Sequence, residues 1–254
     1  MWYSIKSIVT PKTLTEAYSL SQNEGHVLFS GGSYLVAEKD PSIHTLIDIN
    51  DLIGSAVEAD YSGVIIQAST TLQSFIDCVT PVNPNCRLLN GVRDSSPSKN
   101  IRNQRTFGGE AGQNRPNSDI LVFLHAVDAE LTVQTNSAKT ISIREWNGNG
   151  IIARVSYYPS QIESIELQRY SVLPSAPAIA IVGGIRKDGN LEFSIGGTAH
   201  KIQTFVINEH DWTEEKIENI AKEAINEFIP DHLGSLKYKE VLIATAVKRV
   251  GDKL

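Results

Sequence analysis

The sequence predicts a mixed α/β (α+β) protein: two small α/β lobes, then a smaller C-terminal unit of antiparallel sheet plus helices. Short apolar runs alternate with turn residues and helical stretches from the start. The last third changes character and reads as a hairpin followed by two amphipathic helices. At 254 residues the chain has room for one large or two modest domains with a substantial core.

Thr13 and Glu16 stand at capping-box spacing and open a helix through TEAYSLSQ, which Gly25 can stop. HVLFSGG reads as a strand running into two glycines, and TLIDI around Leu46 as another short strand. Residues 50–60 read as a linker between the lobes. The second lobe opens with the strand GVIIQAS (63–69) and the helix TTLQSFID, with Thr70 and Gln73 again at capping-box spacing. Residues 90–114 are polar and rich in Gly, Ser and Asn, and are not expected to be regular throughout; long irregular loops inside compact domains are often functional. SDILVFLHAVDAE has helical periodicity and leads into the strand ELTVQT; Tyr157 and Tyr158 lie on a later strand-like run. APAIAIVGGIRKDGNLEFSIGG predicts a hairpin turning at Asp188-Gly189. The helices TEEKIENIAKEAINEFI and SLKYKEVLIATAVKRV follow, separated by Pro230 and Gly234. The expected division is 1–161, with lobes of about 1–55 and 56–161, and 162–254.

Composition narrows the function classes. A hydrophobic fraction of 41% with 20% charged residues is that of an ordinary globular protein. A net charge of -6 argues against nucleic-acid binding, which favours a basic patch. Cys78 and Cys86 are too few for a four-cysteine iron–sulfur site, and no His/Cys set has zinc spacing, so no metal ligand is nominated. Nothing suggests a disulfide framework, a signal peptide or a membrane span, so a soluble, cytoplasmic protein is expected.

Two segments carry chemistry. Ser30-Gly31-Gly32-Ser33 follows a strand, with Tyr34-Leu35 opening a short helix. Thr106-Phe107-Gly108-Gly109 precedes another helix. Paired glycines let backbone N–H groups approach a diphosphate, and neighbouring hydroxyls add donors. Neither is a G-x-G-x-x-G fingerprint or a P-loop. Read singly, each pair is also compatible with an ordinary tight turn; together, on two similar lobes, they point to a ligand held between the lobes. Asp119, ahead of an apolar helix, has the position of an N-cap. Ile152 reads as core, and His125 as a packed or surface histidine without a ligand role.

The run IRNQRTFGGEAGQNRPNSDILVFLHAVDAEL is similar to the signature of the FAD-binding medium subunits of molybdenum hydroxylases, of the xanthine dehydrogenase and carbon monoxide dehydrogenase type. FSGGSYLVAEKD, TLIDINDL and VIIQASTTLQSF resemble that family's upstream segments, and IAIVGGIRKDGNLEFSIGGTAHKIQTF and SLKYKEVLIATAVKRV its C-terminal domain. The resemblance runs in order along nearly the whole chain. It implies FAD between two α/β lobes, with its diphosphate on Ser30, Gly31, Gly32, Ser33, Tyr34 and Leu35 and on Thr106, Gly108, Gly109 and position 110, here Glu110. It further implies Asp119 on flavin sugar hydroxyls, Ser96 and Pro97 beside the adenine, and Ile152 near the isoalloxazine. The implied role is electron transfer from the clusters of an iron–sulfur small subunit, beside a molybdopterin large subunit, to NAD or another acceptor. No catalytic acid, base or nucleophile is nominated on this chain.

The sequence departs from the family pattern at several positions. Glu110 replaces an asparagine, and its carboxylate is expected to repel a diphosphate; Arg105, in place of Gly or Ala, is expected to offset that charge or crowd the loop. Arg115 stands where relatives often have serine, and Phe107 where they have isoleucine. Gln168 lies near a usual lysine, SVLPSAP lacks a usual basic pair, and the EWNGNG connection is short. These changes motivate an alternative, a divergent flavin-free scaffold subunit of the same kind of complex. A self-sufficient flavoenzyme on a related two-lobed fold is a further alternative.

Overall fold

A computed structural model describes residues 2–60, 62–83, 86–173 and 176–254. The architecture is the expected mixture of helices and sheets. Strand β1 (Ser7–Val9), helix α1 (Leu14–Ser21), β2 (His26–Phe29), α2 (Ser33–Glu38) and β3 (Thr45–Asp48) form the first lobe. Its sheet is parallel, in the order β1-β3-β2. Thr13 caps α1 by accepting from the Glu16 N–H, while the Glu16 carboxylate accepts from the N–H of Lys12, one residue before the cap. The helix ends at Gln22, before Gly25.

The expected linker at 50–60 is not structureless: a 3-10 turn (Asn50–Leu52) leads to strand β4 (Val57–Ala59), which joins the second sheet. There follow β5 (Val64–Gln67), α3 (Leu72–Val79), α4 (Arg87–Ser95), α5 (Lys99–Arg102), α6 (Phe107–Gln113), α7 (Asp119–Ala126), β6 (Glu130–Gln134), β7 (Ala138–Ser142) and β8 (Ile151–Tyr157). The five strands pair antiparallel in the order β4-β5-β8-β6-β7. Thr71, not Thr70, caps α3; the Thr70 hydroxyl instead donates to the Ala56 carbonyl, and Gln73 donates to Asp77.

The polar stretch 90–114 is not regular throughout: the end of α4, then α5 and α6, alternate with short irregular connections. Tertiary packing overrides its weak local propensity: Leu88, Leu89, Val92 and Phe107 bury against the second sheet's core, and Phe107 packs on Phe75. A fully buried side chain of this size contributes roughly 1.5–3 kcal/mol.

The third sheet holds β9 (Ser164–Tyr170), β10 (Ala180–Lys187), β11 (Asn190–Gly197) and β12 (Gln203–Asn208), antiparallel in the order β12-β11-β10-β9. Lys187 pairs with Asn190, so Asp188-Gly189 is the two-residue turn, both with positive φ (51° and 71°). Within SVLPSAP, positions 174 and 175 lie outside the described residues. Helices α8 (Glu214–Ala224) and α9 (Leu236–Gly251) cover one face of this sheet through Ile217, Ile220, Ile243 and Val247. The other face meets α7, where Val122 packs with Ile181. Helix α7 is therefore buried along its whole length, between the second and third sheets. No helix among the described residues is long and apolar enough to cross a membrane.

Candidate cofactor site

A cleft of about 510 Å³ opens between the first and second lobes, within the range of small-molecule and cofactor sites. Ser30, Gly31, Gly32, Ser33, Tyr34 and Leu35 line one side; Thr106, Gly108, Gly109 and Glu110 line another. Ile152 joins them from β8. Sequence-distant segments thus meet because β2 and β5 each end at the gap between the two sheets.

The first glycine loop turns from β2 into α2 through Gly32, whose φ of 69° is left-handed. A Cβ there would also come within 2.3 Å of the Phe29 ring, so only glycine fits. The Ser30 hydroxyl donates to Asn50 Oδ1, and Asn50 is held in turn by Asp48. Among the described residues, no hydrogen-bond acceptor meets the backbone N–H groups of residues 31–35. This loop offers donors to an anion.

The second loop is built differently. Thr106 caps α6 by accepting from the Gly109 N–H at 3.1 Å. Phe107 N–H donates to the Thr70 carbonyl (3.1 Å), Gly108 to Ala68 (2.8 Å) and Glu110 to Thr106 (2.9 Å). Every amide from 107 to 110 is already spent inside the protein. A Cβ on Gly108 would lie 2.5 Å from that of Ala68, so this glycine serves the close approach of α6 to the turn after β5.

Glu110 does not face a ligand as a bare charge. Its carboxylate accepts from Arg105 Nε at 2.7 Å and from the Ser118 hydroxyl at 3.1 Å, and the side chain is buried. Arg105 therefore offsets the carboxylate that was expected to repel a diphosphate.

Three expected site residues are not brought to the cleft. Asp119 is 1% exposed and forms an ion pair with Arg169 of β9, Nε to Oδ1 3.1 Å. The N-cap of α7 is Ser118, leaving Asp119 in the first turn, where the helix dipole favours a carboxylate. The carbonyls of Ser96 and Pro97 both accept from Arg102 Nη1 at 2.7 Å, and neither residue lines the cleft.

Sequence reasoning missed the third wall, Trp146, Gly148, Asn149, Gly150 and Ile151. The Gly/Asn-rich turn after an aromatic in EWNGNG was its only signal. The Tyr18 hydroxyl donates to Asn149 Oδ1 at 3.2 Å and ties this wall to the first lobe. Three lining residues carry a buried polar atom without a hydrogen-bond partner: His26 Nδ1, Ser69 Oγ and Trp146 Nε1. Such atoms are uncommon in a native interior, and atoms of the same kind also occur away from the cleft, at Ser4, His125 and Tyr170 among others. Free amides in a glycine turn and apolar Ile53, Ile151 and Ile152 together suit a ligand with a diphosphate and a flat ring system.

Two buried titratable groups lie elsewhere. His125 on α7 is pushed down to about 4, first by burial and then by the charge of Arg144, with Asp128 opposing. Burial drives the Tyr157 phenol well up, aided by its contact with the Cys86 thiol at 3.2 Å.

Residues 3–149, more than half of the chain, match the family described as the FAD binding domain in molybdopterin dehydrogenase. No curated protein matches the chain by sequence. Among solved structures, the chain resembles a carbon monoxide dehydrogenase from Hydrogenophaga pseudoflava that lacks the Mo-pyranopterin moiety of the molybdenum cofactor. The TM-score is 0.78 at 19% identity, over 98% of this chain and 96% of that one. A reconstituted CO dehydrogenase from Oligotropha carboxidovorans gives a TM-score of 0.71 at 14% identity, over 98% and 96% of the two chains. Quinoline 2-oxidoreductase from Pseudomonas putida 86 gives 0.71 at 15% identity, over 97% and 95%. At these identities the likeness speaks for the fold.

Proposed function

We infer the working role from one premise: the chain belongs to the family of FAD-binding domains of molybdopterin dehydrogenases, FAD is its cofactor, and it is an oxidoreductase subunit. The bound flavin supplies one- and two-electron redox chemistry. The chain's own part is to bind and orient it. In this reading the amides of Gly31 to Leu35 meet the diphosphate, Ile152 packs near the ring system, and Ser30 stays oriented by Asn50. Thr106, Gly108, Gly109 and Glu110 shape the opposite wall, which the hydrogen bonds of the second loop hold rigid. Asp119, Ser96 and Pro97 we assign to the frame behind the cleft, on the strength of their pairing with Arg169 and Arg102.

The complex we propose adds an iron–sulfur subunit that feeds electrons in, a molybdopterin subunit that carries out the hydroxylation, and NAD or another final acceptor. The three sheets support a division at residue 161, with the first two forming the FAD-binding domain and residues 162–254 a C-terminal domain. Free thiols at Cys78 and Cys86 fit a cytoplasmic setting.

The single observation that carries the reading is the row of unpartnered amides in the first loop, facing a cleft between lobes. The test is reconstitution of the full chain with FAD and with iron–sulfur and molybdopterin subunits. Stoichiometric flavin absorbance, reduced on addition of the complex's substrate, is expected. A complex that assembles and turns over without flavin absorbance would sink it. The flavin-free scaffold was motivated by Arg105, Glu110 and Arg115, and the mutual pairing of Arg105 and Glu110 removes the first two of those motives.

A further inference from the structure

We propose that Arg115 is a cofactor-binding residue of this chain, the positive charge that answers the diphosphate held at the first glycine loop. The proposal rests on the FAD reading above.

The reasoning starts from charge. A diphosphate carries two negative charges, and burying them against an apolar wall without a counter-charge is costly. Arg105 is the sole lysine or arginine, and Glu110 the sole carboxylate, among the described residues lining the cleft. They pair with each other, so the wall itself brings no net cation. Nor does the second loop make up the difference, because its amides are engaged.

Arg115 lies in the connection from α6 to α7. Its guanidinium carbon sits 3.7 Å from the centroid of the Tyr34 ring, a close cation–π contact. Tyr34 belongs to the first loop and lines the cleft; Arg115 is not itself a lining residue and stands behind Tyr34 at the cleft's edge, two residues beyond the lining Gln113. Among the described residues, no carboxylate pairs with Arg115 and no acceptor takes its side-chain N–H groups. A guanidinium stacked on a ring keeps its edge donors available for a phosphate, which a fork of N–H groups recognises well.

The connection is also held in place. Ser118 N–H donates to the Arg115 carbonyl, and Gly197 N–H from β11 to the Pro116 carbonyl at 2.8 Å. Asn114, at φ 47°, ends α6 and reverses the chain just before Arg115. The charge is thus presented from a pinned backbone, which lowers the ordering cost on binding. Arg115 replaces as a side chain what the second loop withholds as amides.

The test titrates the full chain, as wild type and as Arg115→Gln, Arg115→Lys and Tyr34→Leu, with FAD and separately with inorganic pyrophosphate, each at low and raised salt. Arg115→Gln is expected to weaken FAD and pyrophosphate by about 10- to 100-fold, the worth of a charge-assisted hydrogen bond, and to flatten the salt dependence. Arg115→Lys should retain the salt dependence with an intermediate affinity. Tyr34→Leu should weaken both ligands less, by releasing the stack. Circular dichroism and thermal melting identify any variant that fails to fold, in which case Arg115→Lys and Tyr34→Leu decide. Unchanged FAD affinity and salt dependence in Arg115→Gln overturn the proposal. Wild type that binds pyrophosphate but no FAD, with the binding lost in Arg115→Gln, leaves the role of Arg115 standing while the flavin reading falls. Wild type that binds neither ligand overturns both.

Discussion

The two glycine loops look alike in sequence and work differently in space. Ser30-Gly31-Gly32-Ser33 leaves its amides open to the cleft, whereas Thr106-Phe107-Gly108-Gly109 spends its own on Thr70, Ala68 and Thr106. One pair of glycines presents donors to a ligand; the other lets a helix lie against a turn. A repeated motif therefore need not repeat a function. The second loop acts as a rigid wall joined to the core, and the first is the part of the site with hydrogen bonds to give.

That contrast predicts which changes register as stability and which as affinity. The largest effect is expected at Asp119, in the frame behind the second loop. Asp119→Ala removes the buried carboxylate that faces the half-buried Arg169, which keeps its bonds to the Ser171 hydroxyl and the Ala176 carbonyl, and should cost about 3 kcal/mol in urea denaturation. FAD affinity, measured under folding conditions, should stay within a few-fold. A large affinity loss at unchanged stability would instead put Asp119 on the cofactor.

Acid should reach the same frame through His125. Its folded pKa lies below its unfolded value of about 6.5, so the unfolded state binds more protons between the two. Stability is then full above pH about 6.5 and falls as pH drops toward about 4, by at most roughly 3 kcal/mol. Denaturation curves of His125→Leu should show a shallower loss over that window, and a parallel loss would remove His125 as the cause.

Gly108→Val places a side chain where a Cβ already meets Ala68, and should cost about 1–3 kcal/mol by overpacking. The matching change in the first loop, Gly31→Ala, brings a Cβ to 2.9 Å from a single atom, the Gln104 backbone carbonyl, so the exposed loop must shift locally, and FAD affinity should change more than melting temperature. Equal effects of the two on stability would break the comparison. The smallest effect is expected for Glu110→Gln, about 1 kcal/mol of stability from loss of a partly exposed ion pair. FAD should not bind tighter to it, because Arg105 already neutralises that carboxylate; a marked gain would show that Glu110 repels the cofactor.

Much of the fold was legible along the chain. Thr13 announced α1, Asp188-Gly189 announced the hairpin, and the two last helices showed their amphipathic pattern. These signals are local, since a cap or a tight turn is decided by residues within a few positions. Residues 90–114 read as not regular throughout from their Gly, Ser and Asn content, and they are broken at 96–98 and 103–106; the helices between the breaks depend on burial of Leu88, Val92 and Phe107, which local pattern does not announce. Thr70 and Thr71 both suit a cap, and only contact of Thr70 with Ala56 decided between them. Of the site, both loops and Ile152 line the cleft, whereas Trp146 and its turn carried too little pattern to be found.

The sequence by itself determined where a glycine turn and a glycine-bearing helix start would fall, because φ at Gly32 and the Thr106 cap depend on near neighbours. Tertiary structure alone decided what each does. The carbonyls that consume the second loop's amides belong to Ala68 and Thr70, nearly forty residues upstream, and Arg105, Ser118 and Glu110 become partners only once α6 and α7 pack. Whether a donor is free is a matter of which acceptors folding brings within about 3 Å, and that distance is set by the whole chain.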